Sequence, residues 1–265
     1  MTHKLSFKSL SVSIGNHRIL HNVSGNCLSG TVTAVIGANG AGKSTLLKAL
    51  TGEIAYLGTV RLGELNVAAC SPILLALHRG VLPQQTSLAF PLSVDEVVRL
   101  GQIVPADELV LQTRRLAALE KVGMQAFVTR QYHDLSGGEQ QRVQMARVLA
   151  QMETACDPFN ENPKWLFLDE PVSSLDIRHQ IQIMNIAREF ANRGGGVFAI
   201  MHDLNLTAHY ADQVLVLKGG QLIASGSVSE TVESNVLSEA YDHPVLVNRT
   251  PPSEVPFVLP LASHA

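Results

Sequence analysis

The sequence predicts an α/β fold with a mainly parallel sheet, and three observations carry the prediction. Thr31 to Gly52, TVTAVIGANGAGKSTLLKALTG, reads as strand, glycine-rich loop and helix. Downstream, short buried-type strands alternate with stretches of helical periodicity. Near-alternating apolar residues before Gly15, with glycine-broken strands from Tyr56 to Val67, add a small antiparallel β layer beside the main sheet. The 265 residues allow a sizeable core, and 46% hydrophobic with 16% charged residues is the balance of a soluble globular chain. A net charge of −3 supplies no broad cationic field, so nucleic acid is not an expected partner and an anionic lipid surface would need a local patch. Cys27, Cys70 and Cys156 are widely spaced and in no C-x-x-C pattern, which argues against a disulfide framework or a zinc site and fits a reducing compartment. The first residues hold no continuous apolar run, so no secretory signal is expected. No window reaches the roughly 18–20 apolar residues of a spanning helix.

In chain order, Leu5, Phe7, Leu10, Val12 and Ile14 set a strand from Lys4 to Ile14, Gly15-Asn16 a turn, and Ile19 to Val23 its hairpin return. The Thr31 to Gly52 unit follows, then the short strands of the β layer. Ser71-Pro72 marks a helix start, an N-cap before proline at the first helical position, with Gly80 as the expected stop. Val81 to Gln84 reads as a core strand ending in a polar residue. Ser93-Val-Asp-Glu96 is a capping box, and helical spacing runs through Gly101, from Asp107 to Val122 and again after Ser136. A helical insertion over residues 86–150 follows from this. Glu153 to Pro163 is polar with two prolines and is expected to be a surface loop. Trp165 to Leu168 is a buried-type strand, and Asp176 to Arg193 a helix stopped by Gly194-Gly-Gly196. Next come a strand from Val197 to Met201, a short helix from Leu204 to Ala211, and strands Val214 to Leu217 and Leu222 to Ser225 around Gly219-Gly220. The tail from Ser227 holds two short helical stretches and two candidate strands, Val245 to Val247 and Val255 to Leu259.

The chemistry belongs to the loops between these elements. Gly37-Ala38-Asn39-Gly40-Ala41-Gly42-Lys43-Ser44 fits G-x-x-x-x-G-K-[ST] between a buried-type strand and an apolar helix. The glycines let backbone N–H groups converge, the helix start adds partial positive charge, and Lys43 adds a formal one. The β- and γ-phosphates of a nucleotide suit that concavity, and Ser44 is placed to hold Mg2+. Phosphoryl transfer also needs a metal holder and a water activator. Leu166-Phe-Leu-Asp169-Glu170-Pro171 offers both, because a buried strand delivers two acids to the sheet edge where open α/β folds take ligands. Asp169 is expected to bind Mg2+ through a water and Glu170 to polarise the attacking water. Leu135-Ser136-Gly137-Gly138-Glu139 opens a helix, and the Ser136 hydroxyl with the Gly137 and Gly138 amides makes a second anion site.

On these motifs, in this order, residues 1 to about 225 resemble the ATP-binding cassette family, whose signature is LSGGQ; here Glu139 takes the fifth place. The resemblance implies one ABC ATPase domain over residues 1–265. Residues 1–85 and 151–225 would form a P-loop NTPase core with its antiparallel layer, 86–150 a helical subdomain and 226–265 a C-terminal extension. It also implies ATP with Mg2+, and ATP hydrolysis. Carried over residue by residue, Thr45 bonds further phosphate oxygens, while Ser136, Gly137 and Gly138 meet the γ-phosphate held by the other subunit. Gln84, with Gln85 as the neighbouring register, reaches the Mg2+ and the attacking water. Asp176, in Ser174-Leu175-Asp176, bonds across to the partner's phosphate loop, and His202 contacts the γ-phosphate. One position departs from the family: Ile14 stands where an aromatic residue stacks on adenine, with His17 close by, so weak base selectivity is expected.

A single cassette implies a homodimer, two copies paired head to tail around two composite sites. Two copies of a transmembrane permease subunit are the implied partners, seated near Gln84 and the helical insertion, at the cytoplasmic face of a bacterial inner membrane. The interval between Lys43 and Leu135 has no room for the long coiled coil of DNA-acting relatives. Glu170 argues against a non-catalytic regulator. The overall pattern resembles importers of large metal chelates, the cobalamin, ferric-siderophore and haem group. The long loop ending Asn162-Pro-Lys-Trp165 and the stretch Val255-Pro-Phe-Val-Leu-Pro260 are similar to the haem (hemin) import ATP-binding subunits. Haem is therefore the expected cargo, with a periplasmic haem-binding protein serving the complex and ferric siderophore or cobalamin as the alternatives. The ten histidines are scattered and are read as surface and core residues, not haem ligands.

Overall fold

Side-chain parity along the central strands divides the interior in two. In the computed structural model, which describes residues 4–86, 88, 90–153, 164–250, 256 and 258, the chain opens with a hairpin of β1 (Lys4–Ile14) and β2 (His17–Leu28). Then β3 (Val32–Ile36) leads through the glycine-rich loop into α1 (Lys43–Leu50), and β4 (Leu57–Leu62) and β5 (Leu65–Asn66) follow. The middle holds α2 (Pro72–His78), β6 (Arg79–Leu82), α3 (Val94–Arg99), α4 (Glu108–Lys121) and α5 (Gly137–Glu153). The remainder is β7 (Trp165–Asp169), α6 (Ile177–Asn192), β8 (Gly196–Ile200), α7 (Leu204–Tyr210), β9 (Gln213–Lys218), β10 (Gln221–Gly226), α8 (Val228–Thr231) and α9 (Ser234–Tyr241). The larger sheet has the order β10-β9-β3-β8-β7-β6, parallel except for the antiparallel edge strand β10. The smaller is antiparallel, β2-β1-β4-β5.

Successive residues of a strand face opposite sides. Trp165 and Phe167, Phe198 and Ile200, and Leu215 and Leu217 face α1 and the small sheet, packing with Leu46, Leu50, Leu5 and Phe7. Leu166 and Leu168, Val197 and Ala199, and Val214 and Val216 face the helices and join Val97, Leu119, Val143 and Ile183. Burial on both faces explains why β7 and β8 read as continuous apolar runs. At about 1.5–3 kcal/mol for each large side chain taken from water, these two layers are the main source of stability.

Two local expectations are corrected. Gly80 does not stop α2, which ends at His78; it lies inside β6, where a Cβ would sit 2.6 Å from Val148 Cγ1 and 3.0 Å from Met152 Cγ. Close approach of α5 to the strand, and not helix termination, requires the glycine. Val245 to Val247 forms no strand, because α9 hydroxyls take its backbone donors: Val245 N–H donates to Ser238 Oγ at 2.8 Å and Val247 N–H to Ser234 Oγ at 2.9 Å. The strand expected from Val81 to Gln84 runs from Arg79 to Leu82. The loop expected over Glu153 to Pro163 lies outside the described residues from position 154 onward, as does most of Val255 to Leu259. The 150/151 division falls within the last turn of α5. Among the described residues no helix is long and apolar enough to cross a membrane.

Candidate active site

Because β6, β7, β8, β3 and β9 run in one direction, the residues that follow them emerge along one edge of the sheet. Register keeps that edge level: Leu82 pairs with Leu168, Asp169 with Ile200, and Ile200 with Val35. One or two further residues bring Gln84, Glu170, His202 and the glycine-rich loop together. They line a cleft of about 660 Å3 with Asn39, Gly40, Lys43 and Ser44 on one wall and Gln84, Glu170 and His202 on the other.

The loop has the conformation its glycines permit. Gly37, Gly40 and Gly42 have φ of 144°, 80° and 98°. A Cβ at Gly37 would lie 2.1 Å from the Leu217 carbonyl oxygen, so the close approach of β9 excludes any side chain there. Ala41 N–H donates to the Ala38 carbonyl at 3.2 Å, closing the turn before α1. Lys43 is only 6% exposed, and its ammonium donates to the Gly37 carbonyl at 2.8 Å and the Ala38 carbonyl at 3.0 Å. Burial lowers its pKa, while the carboxylates of Glu170 and Asp169 act in the other direction. Thr45 is half-buried in the first turn of α1.

Beside Lys43, Ser44 Oγ donates to Asp169 Oδ1 at 3.2 Å. Asp169 is 5% exposed, and its burial raises the carboxyl pKa against the opposing Ser44 bond. The Ser44 hydroxyl, the Asp169 carboxylate and the Gln84 side-chain carbonyl are hard oxygen donors of the kind Mg2+ takes, so the residues present fit that ion. Glu170 follows β7 with φ 52°, a left-handed conformation that costs a non-glycine residue about 1–3 kcal/mol. Hydrogen bonds hold it there. Its carbonyl accepts from Gln141 Nε2 at 3.1 Å, from the Ser173 N–H at 3.3 Å and from Ser173 Oγ at 3.2 Å. Its carboxylate is held at both oxygens, Oε2 by Gln84 Nε2 at 2.8 Å and Oε1 by His202 Nε2 at 2.6 Å. A strand end, a strained backbone and two side chains thus fix the direction of one acid.

Ser136, Gly137, Gly138 and Asp176 do not line this cleft. Ser136 and Glu139 form a capping box at the start of α5: the Ser136 N–H and hydroxyl donate to Glu139 Oε2 at 2.8 and 2.7 Å, and the Glu139 N–H donates to Ser136 Oγ at 3.4 Å. The Ser136 bonds hold the Glu139 pKa below the usual carboxylate range. Asp176 caps α6, accepting from the His179 N–H at 3.0 Å, with His179 Nδ1 2.9 Å from its other oxygen. A Cβ at Gly138 would lie 3.1 Å from the Ser174 carbonyl oxygen, so the two cap regions adjoin. Ile14 is 58% exposed at the end of the first hairpin, paired with His17. Nothing in the sequence singles out Gln141; its only sign is a place one turn into α5, on the same helix face as Gly137. Asp203, given no role from the sequence, caps α7 through the Asn205 and Leu206 N–H groups and also lines the cleft.

A profile of the ABC transporter family matches residues 20–173. The chain belongs to the ABC transporter family. It is similar along nearly its whole length to the hemin import ATP-binding protein HmuV of Mesorhizobium japonicum, 47% identical over 97% of this chain and 98% of that protein. The hemin import ATP-binding protein HmuV of Bartonella henselae is 46% identical over 95% of each. Among solved structures, a nucleotide-free ATP-binding cassette from an ABC transporter superposes with a TM-score of 0.76 at 26% identity, covering 90% of this chain and 96% of its own. The ATP-binding cassette MJ1267 in its ADP conformation gives 0.74 at the same identity and coverage. As an ABC ATPase, the chain binds ATP and hydrolyses it in the service of transport.

Proposed function

We propose that this ABC ATPase powers import of haem, and that the cleft at the sheet edge is where its ATP is cleaved. The observation that carries the catalytic part is Glu170, aimed by Gln84 and His202 and sharing one cleft with Lys43 and Ser44. Residues Gly37 to Thr45 wrap the phosphates, and Lys43 supplies the counter-charge to the β- and γ-groups. Ser44, Asp169 and Gln84 would hold Mg2+, which would supply positive charge against the phosphates. Glu170 polarises the attacking water, and His202 keeps the carboxylate turned toward it and bonds the γ-phosphate.

Each site needs a second chain. The α5 tip offers the Gly137 and Gly138 amides to an anion, and the Ser136 hydroxyl once it turns from Glu139; the tip sits outside the cleft of its own chain, and on this reading it serves the γ-phosphate of the partner copy while Asp176 reaches the partner's phosphate loop. Two such chains drive two copies of a permease at the cytoplasmic face of the inner membrane, with a periplasmic haem-binding protein as donor. Phe90, Leu100, Ile103 and Leu109, exposed along the segment after Gln84, supply an apolar surface for the permease helices. Haem as cargo is supported by the near full-length similarity to hemin import ATP-binding proteins. The test is reconstitution of the co-purifying complex in liposomes. Haem, a ferric siderophore and cobalamin are supplied in turn with the binding protein, and ATP-dependent uptake is measured. Stimulation by haem alone is expected; stimulation by another chelate and not by haem contradicts the cargo.

A further inference from the structure

The side chain of Gln141 joins the acid of one site to the helix tip that serves the other. It lies on α5 one turn after Gly137 and is 8% exposed. Its Nε2 donates to the Glu170 carbonyl at 3.1 Å, and its Oε1 accepts from Ser174 Oγ. A primary amide has one end that donates and one that accepts, and both are used here, so in a buried setting the side chain is locked between its two partners. The Glu170 carbonyl belongs to the same left-handed residue, φ 52°, that carries the carboxylate held by Gln84 and His202. Ser174 leads through Leu175 into the Asp176 cap, and Gly138 packs against that same turn.

We infer that Gln141 is a positioning residue through which the placement of the α5 tip sets the aim of Glu170. The helix is one rigid body carrying Ser136 to Gly138 at its tip and Gln141 one turn in. A shift of the tip when it engages an anion reaches the Glu170 backbone through a single amide, and the Ser174 to Asp176 turn moves with it. The inference rests on the proposed reading in which Glu170 activates water and the α5 tip meets the partner's nucleotide. On that reading, ATP held in one composite site adjusts the acid that works in the other.

The test uses the full chain with two variants of Gln141. Gln141→Leu keeps the size and removes both bonds; Gln141→Glu keeps an acceptor for Ser174 and removes the donor to Glu170. Both are expected to lower kcat about tenfold with KM for ATP within about twofold, and to bring the Hill coefficient for ATP toward 1. Ser174→Ala added to Gln141→Leu should lower kcat by less than about twofold more, because the two act through one bridge. An unchanged kcat and Hill coefficient in Gln141→Leu overturns the inference. So does an equal loss of ATP affinity, turnover and thermal stability, which is the mark of a packing residue alone. Glu170→Gln run alongside separates the readings: retained turnover there removes the water-activating role, whereas lost turnover there with normal Gln141 variants removes only the coupling.

Discussion

Lys43 and Glu170 face the same cleft, and their replacement should fail in different ways. Lys43→Ala takes a cation from a buried loop, so ATP affinity should fall about 10- to 100-fold, the value of a charge-assisted bond to phosphate, as measured by nucleotide titration. Glu170→Gln leaves the cradle intact, so ATP should still bind while steady-state turnover falls about 100-fold or more. Equal loss of binding in both variants would place the acid among the binding residues. Ile14 is exposed at the hairpin end; if it meets the base, as the resemblance implies, GTP should be hydrolysed within about a hundredfold of ATP, and competition kinetics read this directly. That Lys43 and Glu170 share one cleft was legible in the sequence, because the chemistry expected there restricts the choice: a phosphate needs a cation and glycines, and a water needs an acid. Gln141 was not, because an amide on a buried helix face has no meaning until the fold shows which carbonyl it reaches.

Helix starts show what local sequence determines well. Ser71, Ser93 and Asp176 each accept an N–H from the first turn of the helix they precede, and all three starts are readable from neighbouring residues. The Ser93 backbone and hydroxyl hold the Glu96 pKa below its ordinary value of 4.5. A folded pKa below the unfolded one means the box stabilises above roughly pH 4.5 and loses that contribution as pH falls through the lowered value. The melting temperature of Glu96→Gln should therefore lie below that of the unaltered chain near neutrality, with the gap closing as pH falls below the ordinary carboxylate value. A gap that stays constant across that range would show that charge has no part in it. Two elements were misread, both for reasons from outside the segment. Gly80 answers to Val148 and Met152 of α5, and Val245 to Val247 answers to hydroxyls on α9.

At the scale of the whole chain, the parallel sheet was legible because strands buried on both faces leave continuous apolar runs. Its order was not, since nothing local to β3 says that β8 and β9 will flank it. That order matters to function. With β8 between β3 and β7, the loop after β3 and the acid after β7 stand apart by one strand, and His202 fills the gap from β8. The same geometry leaves the α5 tip outside the cleft, so on the proposed reading one chain supplies the phosphate cradle of one site and the helix tip of the other. Sedimentation of the Glu170→Gln chain with Mg2+ and ATP tests this most directly. The account predicts a species of twice the mass of one chain that reverts to single chains when Lys43→Ala is added to the same protein. A single-chain species at saturating ATP would contradict it.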